Sequence, residues 1–406
     1  MLSVQTICNL YGCLVAMEFI DEVVQSFLCK DGQPLPRITL GAVDRDGTLH
    51  YAKCFGGDQG EACRADDVHW IASATKFITS IAVMQCVEKG LLELDADISA
   101  ILPEWKDPKI LTGFSEKNEP QFRPAKRPLT LRLLLTHSSG MAYTFMHPLS
   151  MRYQELEGER PLFLQTIRES FHTFLVFEPG EQWLYGPGLE WAGLMDNNKV
   201  EHVTGLKLGA YMEENMFEPV GARDITFHLN EREDLRTRKV KLWERDHHRL
   251  REVTDFWMPD PVIDDIGGGG IYTTVPDLLK IYLGVLQGRL LRPETLQQMF
   301  KPHLESRKGL DNQEDHILAN RNAIYNAVSS NVPVDYGLSG LLNMIDVPGG
   351  RSQYSLSWSG LPNCYWWIDM KKGIAGVYLS QLLPTGDQRA VDLLAEFERA
   401  VYTVLG

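Results

Sequence analysis

One run of residues dictates much of the rest. Between Ile71 and Gly90 the chain places Phe77, Ile78, Ile81, Ala82, Val83, Met84, Cys86 and Val87 at helical spacing, with few charges among them. The spacing predicts a helix over about 72–89, and Gly90 is a natural stop just past its last turn. A helix this apolar belongs inside a protein, so other elements must surround it. Its first turn nevertheless carries Ser73 and Lys76. Residues three apart share a helix face. A hydroxyl and an amine therefore meet side by side at the positive end of a buried helix.

That pairing has chemical logic. A serine hydroxyl is a poor nucleophile until a base takes its proton. A lysine serves as that base where its surroundings favour the uncharged amine. Backbone N–H groups at the helix start suit the oxyanion of a tetrahedral intermediate. A Ser-x-x-Lys match also describes a Ser N-cap followed by a solvated lysine. Here it occurs once in the chain, on a helix too apolar for the surface.

The chain has 406 residues, long for one core, and this predicts two packed regions. A net charge of -14 disfavours nucleic acid and anionic membranes as partners. No apolar run reaches the roughly 18 residues of a membrane span. The seven cysteines are odd in number and none has metal-ligand spacing. They read as reduced thiols of an intracellular, cytoplasmic protein. Nothing in the pattern calls for a metal or a cofactor.

Strand signals cluster at both ends. Ile38 to Val43 and Leu49 to Phe55 flank the turn Asp44-Arg45-Asp46-Gly47, a hairpin pattern. Leu338 to Ile345, Ser355 to Trp358, Cys364 to Asp369 and Gly373 to Leu379 read as consecutive strands. Helices are predicted from Met17, over 129–136, 161–175, 189–204 and 276–286, and over 390–402. Residues 91–128 and 301–333 read as loops. The economical solution is an α+β fold: one antiparallel sheet built from both ends, flanked by terminal helices, with a mostly helical insertion. Residues 17–70 and 335–406 form the sheet region, 71–334 the helical region, and the active site lies between. Residues 1–16 are expected to be an extension outside the fold. Gly267-Gly268-Gly269-Gly270 lacks the Lys-Ser/Thr of a phosphate loop and reads as close backbone packing at the site rim.

Tyr185, in the loop Tyr185-Gly186-Pro187-Gly188, is a second base candidate; the alternative is a core aromatic with a satisfied hydroxyl. Ser357-Trp358-Ser359-Gly360-Leu361 could turn a strand edge toward an acyl oxygen. His137, in a His-Ser-Ser-Gly turn, reads as structural. His247 and His248 are adjacent and cannot chelate as an i, i+4 pair would. The dense charges of 231–252 read as a solvated face, with Arg236, Arg238, Lys239 and Lys241 as a candidate dock for an acidic carrier protein.

Taken in order, Ser73-Ala74-Thr75-Lys76, Leu134-Leu135-Thr136-His137-Ser138-Ser139-Gly140, Pro179-Gly180-Glu181-Gln182-Trp183-Leu184-Tyr185 and Trp358-Ser359-Gly360 resemble class C β-lactamases, family VIII carboxylesterases and penicillin-binding-protein relatives. The chain is most similar to the fungal statin-type acyltransferases, the lovastatin side-chain transferase group. The shared points are His147-Pro148-Leu149, Glu190-Trp191-Ala192-Gly193 after Tyr185-Gly186, and Pro362-Asn363 after Gly360. The resemblance runs from about Met17 to the C-terminus.

The resemblance implies a β-lactamase-type fold, an acylated Ser73, and Lys76 with Tyr185 as the base pair. It places the N–H groups of Ser73 and Leu361 in the oxyanion hole. Two departures speak against a β-lactam hydrolase. Trp358-Ser359-Gly360 stands where those enzymes carry Lys-Thr-Gly, removing the cation that would pair with a carboxylate. Tyr185-Gly186-Pro187 replaces Tyr-x-Asn, removing an amide. Tyr143, Trp183, Trp257, Trp358, Gly360, Asn363 and Trp366 are the expected substrate-binding residues of an apolar pocket. The implied reaction carries an acyl group from a thioester, on an acyl carrier protein or coenzyme A, to the alcohol of a fungal polyketide-type metabolite. A carboxylesterase is the alternative, and a non-catalytic binding protein on the same fold is a third reading.

Overall fold

The computed structural model describes residues 4–30, 32–56, 63–158, 160–195, 206–255, 258–312 and 316–405. Seven antiparallel strands form its central sheet. Their spatial order is Val334–Gly337, Gly340–Asn343, Leu356–Gly360, Cys364–Asp369, Ile374–Leu379, Ile38–Asp44 and His50–Phe55. The N-terminal hairpin joins the C-terminal strands through Ile38–Asp44, with Leu40 opposite Tyr378 and Val43 opposite Ala375. Both ends of the chain thus complete one sheet, as the strand clustering predicts.

Side chains alternate across a strand. All six residues of Cys364–Asp369 are buried, so this strand meets a core on each face. Tyr365 and Trp367 join a core with Ile20, Val24 and Phe27 of the N-terminal helix and Leu393, Leu394 and Phe397 of the C-terminal helix. Cys364, Trp366 and Ile368 face the larger core of the helical region. There the Trp366 ring lies 4.5 Å from that of Phe77 and 6.2 Å from that of Tyr282, which docks the Ser73–Lys76 helix onto the sheet.

That helix forms as the apolar spacing requires. A 3-10 turn, Ala72–Ala74, leads into an α-helix over Thr75–Glu88, and Gly90 follows at φ 69°. The helix Val275–Leu286 caps the same sheet face, opened by Thr274, whose Oγ1 accepts from the Asp277 N–H.

Several expectations need correction. The N-terminal helix runs unbroken over Val4–Leu28, so it begins before the Met17 start expected for it. Residues 91–128 contain a hairpin, Lys109–Phe114 with Pro120–Pro124, whose first strand also pairs in parallel with Phe174–Leu175. The helix expected over 161–175 is a single turn, Ile167–Ser170, because the chain turns there to supply that third strand. The helix after Tyr185 runs over Gly188–Met195; its expected continuation to 204 lies outside the described residues. The charged segment 231–252 holds a hairpin, Trp243–Asp246 with Arg249–Glu252. Cys54 and Cys63 are disulfide-bonded, with Cα atoms 5.6 Å apart, whereas spacing alone suggested reduced thiols throughout. Cys29 and Cys364 are free thiols. No helix among the described residues is long and apolar enough to cross a membrane.

Arg351, next to the sheet, is 1% exposed, and its guanidinium grips Glu398 of the C-terminal helix in a fork of 2.9 and 2.7 Å. Removing one partner of such a pair strands a buried charge. Glu398→Ala is expected to lower unfolding stability by about 3–5 kcal/mol. The double change Arg351→Met with Glu398→Leu should recover most of it in urea titrations.

Candidate functional site

The turn that presents Ser73 is held from both sides. Ala72 adopts φ 45°, a left-handed conformation that costs an L-residue about 1–2 kcal/mol. Its neighbours hold it there. The Ile71 N–H donates to Ile271 O at 3.1 Å, and the Ile271 N–H donates to Thr75 Oγ1 at 3.2 Å. On the other flank Gly360 packs so closely that a Cβ there would stand 2.2 Å from Ile71 O. Only glycine lets the strand Leu356–Gly360 come this near, which brings Leu361 beside the nucleophile turn.

The four-glycine run lies along the same helix. Three successive carbonyls accept from it and from Trp70, two residues ahead of its turn: Gly267 O from Thr79 Oγ1 at 2.6 Å, Gly268 O from Lys76 Nζ at 2.7 Å, and Gly269 O from Trp70 Nε1 at 2.7 Å. A Cβ on Gly268 would sit 2.1 Å from the Glu190 carboxyl carbon. The run is therefore a backbone contact surface, as its lack of phosphate-loop residues suggests.

Lys76 is 1% exposed and Glu190 0%. The amine lies 3.4 Å from Ser73 Oγ, 2.8 Å from the Tyr143 hydroxyl and 3.8 Å from Glu190 Oε1. Tyr143 donates to Glu190 Oε1. Burial first, then the Glu190 carboxylate, holds the Tyr143 phenol well above its ordinary range, so it remains a neutral phenol. Its proton goes to Glu190, so its oxygen accepts from Lys76. The Gly268 carbonyl can only accept. Two N–H bonds of the amine are thereby assigned, and its third position faces Ser73.

Tyr185 meets the same amine through its ring, whose centroid is 5.0 Å from Nζ. Its hydroxyl lies 3.5 Å from Trp358 Nε1, which donates to it. The rings of Tyr143 and His137 stand 5.1 and 4.7 Å from that of Tyr185. Ser73, Tyr143, Tyr185, Trp358 and Leu361 all line one cavity of about 420 Å³. Phe145, Met146, Leu162 and Ile324 give it apolar walls.

The beta-lactamase family profile matches residues 41–400. The chain belongs to the beta-lactamase family. Within this family, the lovastatin esterase of Penicillium rubens is 36% identical over 378 residues, covering 89% of this chain and 92% of that protein. The monacolin J acid methylbutanoyltransferase of Aspergillus terreus is 33% identical over 91% of this chain and 92% of its own. The unliganded structure of simvastatin synthase (LovD) from Aspergillus terreus aligns with a TM-score of 0.79 at 30% identity, over 97% of this chain and 98% of that one. The β-lactamase-like fold and the likeness to statin-type acyltransferases, expected from the ordered motifs, are thus found.

The other expected binding residues of this beta-lactamase-family chain divide by position. Trp183 is buried behind the cavity wall, its ring 6.3 Å from those of His137 and Trp358. Trp366 lies in the core between sheet and helix. Asn363 supports a loop: its Nδ2 donates to Leu382 O and Pro384 O, and its Oδ1 accepts from Tyr365 and from the Gly386 and Asp387 N–H groups. Pro384 and Thr385 of that loop line the cavity. Gly360 acts through its closeness to Ile71. Trp257 lies outside the described residues. The basic residues offered as a carrier dock are largely neutralised: Arg236 pairs with Glu233, Arg238 with Asp66 and Asp224, and Lys241 with Glu252. Glu190 and the Gly268 carbonyl were not singled out for the site from sequence. The available signal was a carboxylate in the otherwise apolar run Leu189 to Met195, a residue type that is buried only with partners.

Two histidines at the site's base are buried and neutral. His137 accepts from the Gly186 N–H through Nδ1 at 3.3 Å, and burial followed by the Lys76 charge pushes it well below its ordinary value. Burial pushes His69, beside Trp70, down to about 4. An unfolded histidine titrates near 6.5. Between about 6.5 and 4 the unfolded chain therefore binds protons that the folded one refuses, and stability falls as pH drops through that window. Urea midpoints at pH 7.5 and 5 should show this loss, and His69→Gln should reduce it.

Proposed function

We propose that this chain is a serine acyltransferase that carries an acyl group from a thioester donor to the alcohol of a small polyketide-type metabolite through an acyl-Ser73 intermediate. The reading rests on one observation: the Ser73 hydroxyl stands 3.4 Å from a buried lysine amine, in an apolar cavity. Lys76 takes the Ser73 proton as Oγ attacks the thioester carbonyl. The oxyanion is held by the backbone N–H groups of Ser73 and Leu361. The C–S bond then breaks, and Tyr185 helps pass the proton to the departing sulfur. In the second half the acceptor hydroxyl gives its proton to the same base as its oxygen attacks the acyl carbonyl, the Ser73 Oγ–acyl bond breaks, and that proton returns to Ser73 Oγ. Relatives named for methylbutanoyl transfer support this reading. Trp358 supports it too, since an indole in place of a cation suits an apolar acyl chain better than a β-lactam carboxylate.

Ester cleavage is the second reading, favoured by the 36% identity to a protein named lovastatin esterase. Both reactions share acyl-Ser73 and differ only in whether water or an alcohol resolves it. Incubation with a short branched acyl thioester should yield a Ser73 adduct in the intact mass, absent in Ser73→Ala. Adding a polyketide alcohol should divert the acyl group to an ester; release of free acid alone, at every alcohol concentration, would assign the esterase. No mass gain in either wild type or Ser73→Ala would leave a non-catalytic binding protein.

Lys76→Ala and Tyr185→Phe are each expected to slow acylation by about a hundredfold or more, the size of general-base effects. A near-normal rate in single-turnover assays would remove that residue from the mechanism.

A further inference from the structure

The cavity at Ser73 continues outward. Phe145 and Leu162 line both it and an adjoining groove of about 320 Å³. One wall of this groove is the helix Pro148–Glu157, ten residues and about 15 Å long at the rise of an α-helix. At its far end the groove shares Arg160 with a third cavity of about 430 Å³. This last chamber differs in chemistry. Lys109, Arg160 and Arg168 line it with the carboxylate of Glu169, and Glu157 stands at its edge, 3.6 Å from His172, in a protein whose net charge is -14.

The fold assembles this chamber deliberately from distant segments. Parallel pairing sets Lys109 opposite Phe174 in the small three-stranded sheet. Arg160 is held by donation from Nη2 to Ser170 O at 3.0 Å. Arg168 pairs with Glu104. Among the described residues neither Lys109 nor Arg160 has a carboxylate within ion-pair distance. The floor is aromatic: the Tyr153 ring lies 4.8 Å from those of His172 and Phe174.

We propose that this chamber binds the phosphorylated end of a pantetheine thioester, whose arm lies in the groove and whose acyl group reaches Ser73. The proposal rests on the acyl-transfer reading above and names its donor by chemistry. An apolar acyl chamber, a narrow groove and a cationic terminus follow one another as the acyl chain, the pantetheine arm and the phosphate do. Arginine and lysine give a phosphate charge-assisted hydrogen bonds. In the step itself the Ser73 Oγ–C bond forms, the C–S bond breaks, and the thiol leaves along the groove with the proton taken from Ser73.

Equilibrium binding tests the chamber without any turnover. Calorimetry on the full chain compares coenzyme A, 4′-phosphopantetheine and unphosphorylated pantetheine. Wild type should bind the first two at least tenfold tighter than the third, and high salt should shrink that ratio. In Arg160→Gln, and separately in Lys109→Gln, the ratio should fall toward one. Lys109 is an exposed strand residue, so its variant keeps the test open if Arg160→Gln does not fold. Equal loss for both phosphorylated ligands assigns the pantetheine phosphate, and a loss confined to coenzyme A assigns its nucleotide phosphates; either supports the chamber. Equal affinity for all three in wild type, or a ratio unchanged in both variants, overturns it. If the chamber passes while no thioester acylates Ser73, the acyl-transfer reading fails and the binding site stands.

Discussion

A lysine that is 1% exposed makes heavy demands on its surroundings. An amine taken from water must find partners for each N–H bond, and a charge taken from water costs more still. Here the Gly268 carbonyl, the Tyr143 phenol and the Glu190 carboxylate meet those demands. Each partner imposes a further requirement. The carbonyl must lie against the helix, so the segment around it carries no side chains. The carboxylate must enter an apolar helix just where glycine leaves room for it. The phenol must stay neutral to bridge the two, which burial and the carboxylate ensure. Much of the arrangement around Ser73 can be read as the cost of placing one basic nitrogen in a dry interior.

The two phenols near that nitrogen have separate tasks. Tyr143 gives its hydroxyl to the buried network, and so the chain's own groups occupy it. Tyr185 turns its ring to the amine and its hydroxyl toward Trp358 at the cavity wall. A group that must exchange a proton with a passing substrate cannot be fully engaged elsewhere. In the acyl-transfer reading proposed above, that division suits Tyr185 to the relay and Tyr143 to fixing where the amine points.

Local pattern carried much of this into the sequence. The nucleophile helix, the hairpin at Ile38–Phe55 and the C-terminal strands follow from spacing and turn chemistry, because each buries a face whose period is written in adjacent residues. The site's remaining members could not be read that way. Glu190 and Gly268 become neighbours only after more than seventy intervening residues have folded, and a lone glutamate announces no partner. The strand Phe174–Leu175 is two residues long and pairs with a hairpin some sixty residues earlier, so no local period marks it. Trp183 and Trp366 exposed a different limit. Aromatic residues near catalytic motifs can line a pocket or support it from behind, and composition does not distinguish the two. The Cys54–Cys63 bridge begins at a strand end, and spacing alone did not suggest it.

The central sheet serves as a partition. Its strand Cys364–Asp369 sends Tyr365 and Trp367 into one core and Cys364, Trp366 and Ile368 into the other. The terminal helices and their hydrophobic packing thus form a foundation on the far side from any reacting atom. Changes to the cavity wall load only one of the two compartments. A lineage can therefore remodel what it accepts, acyl chain by acyl chain, while the masonry beneath goes undisturbed.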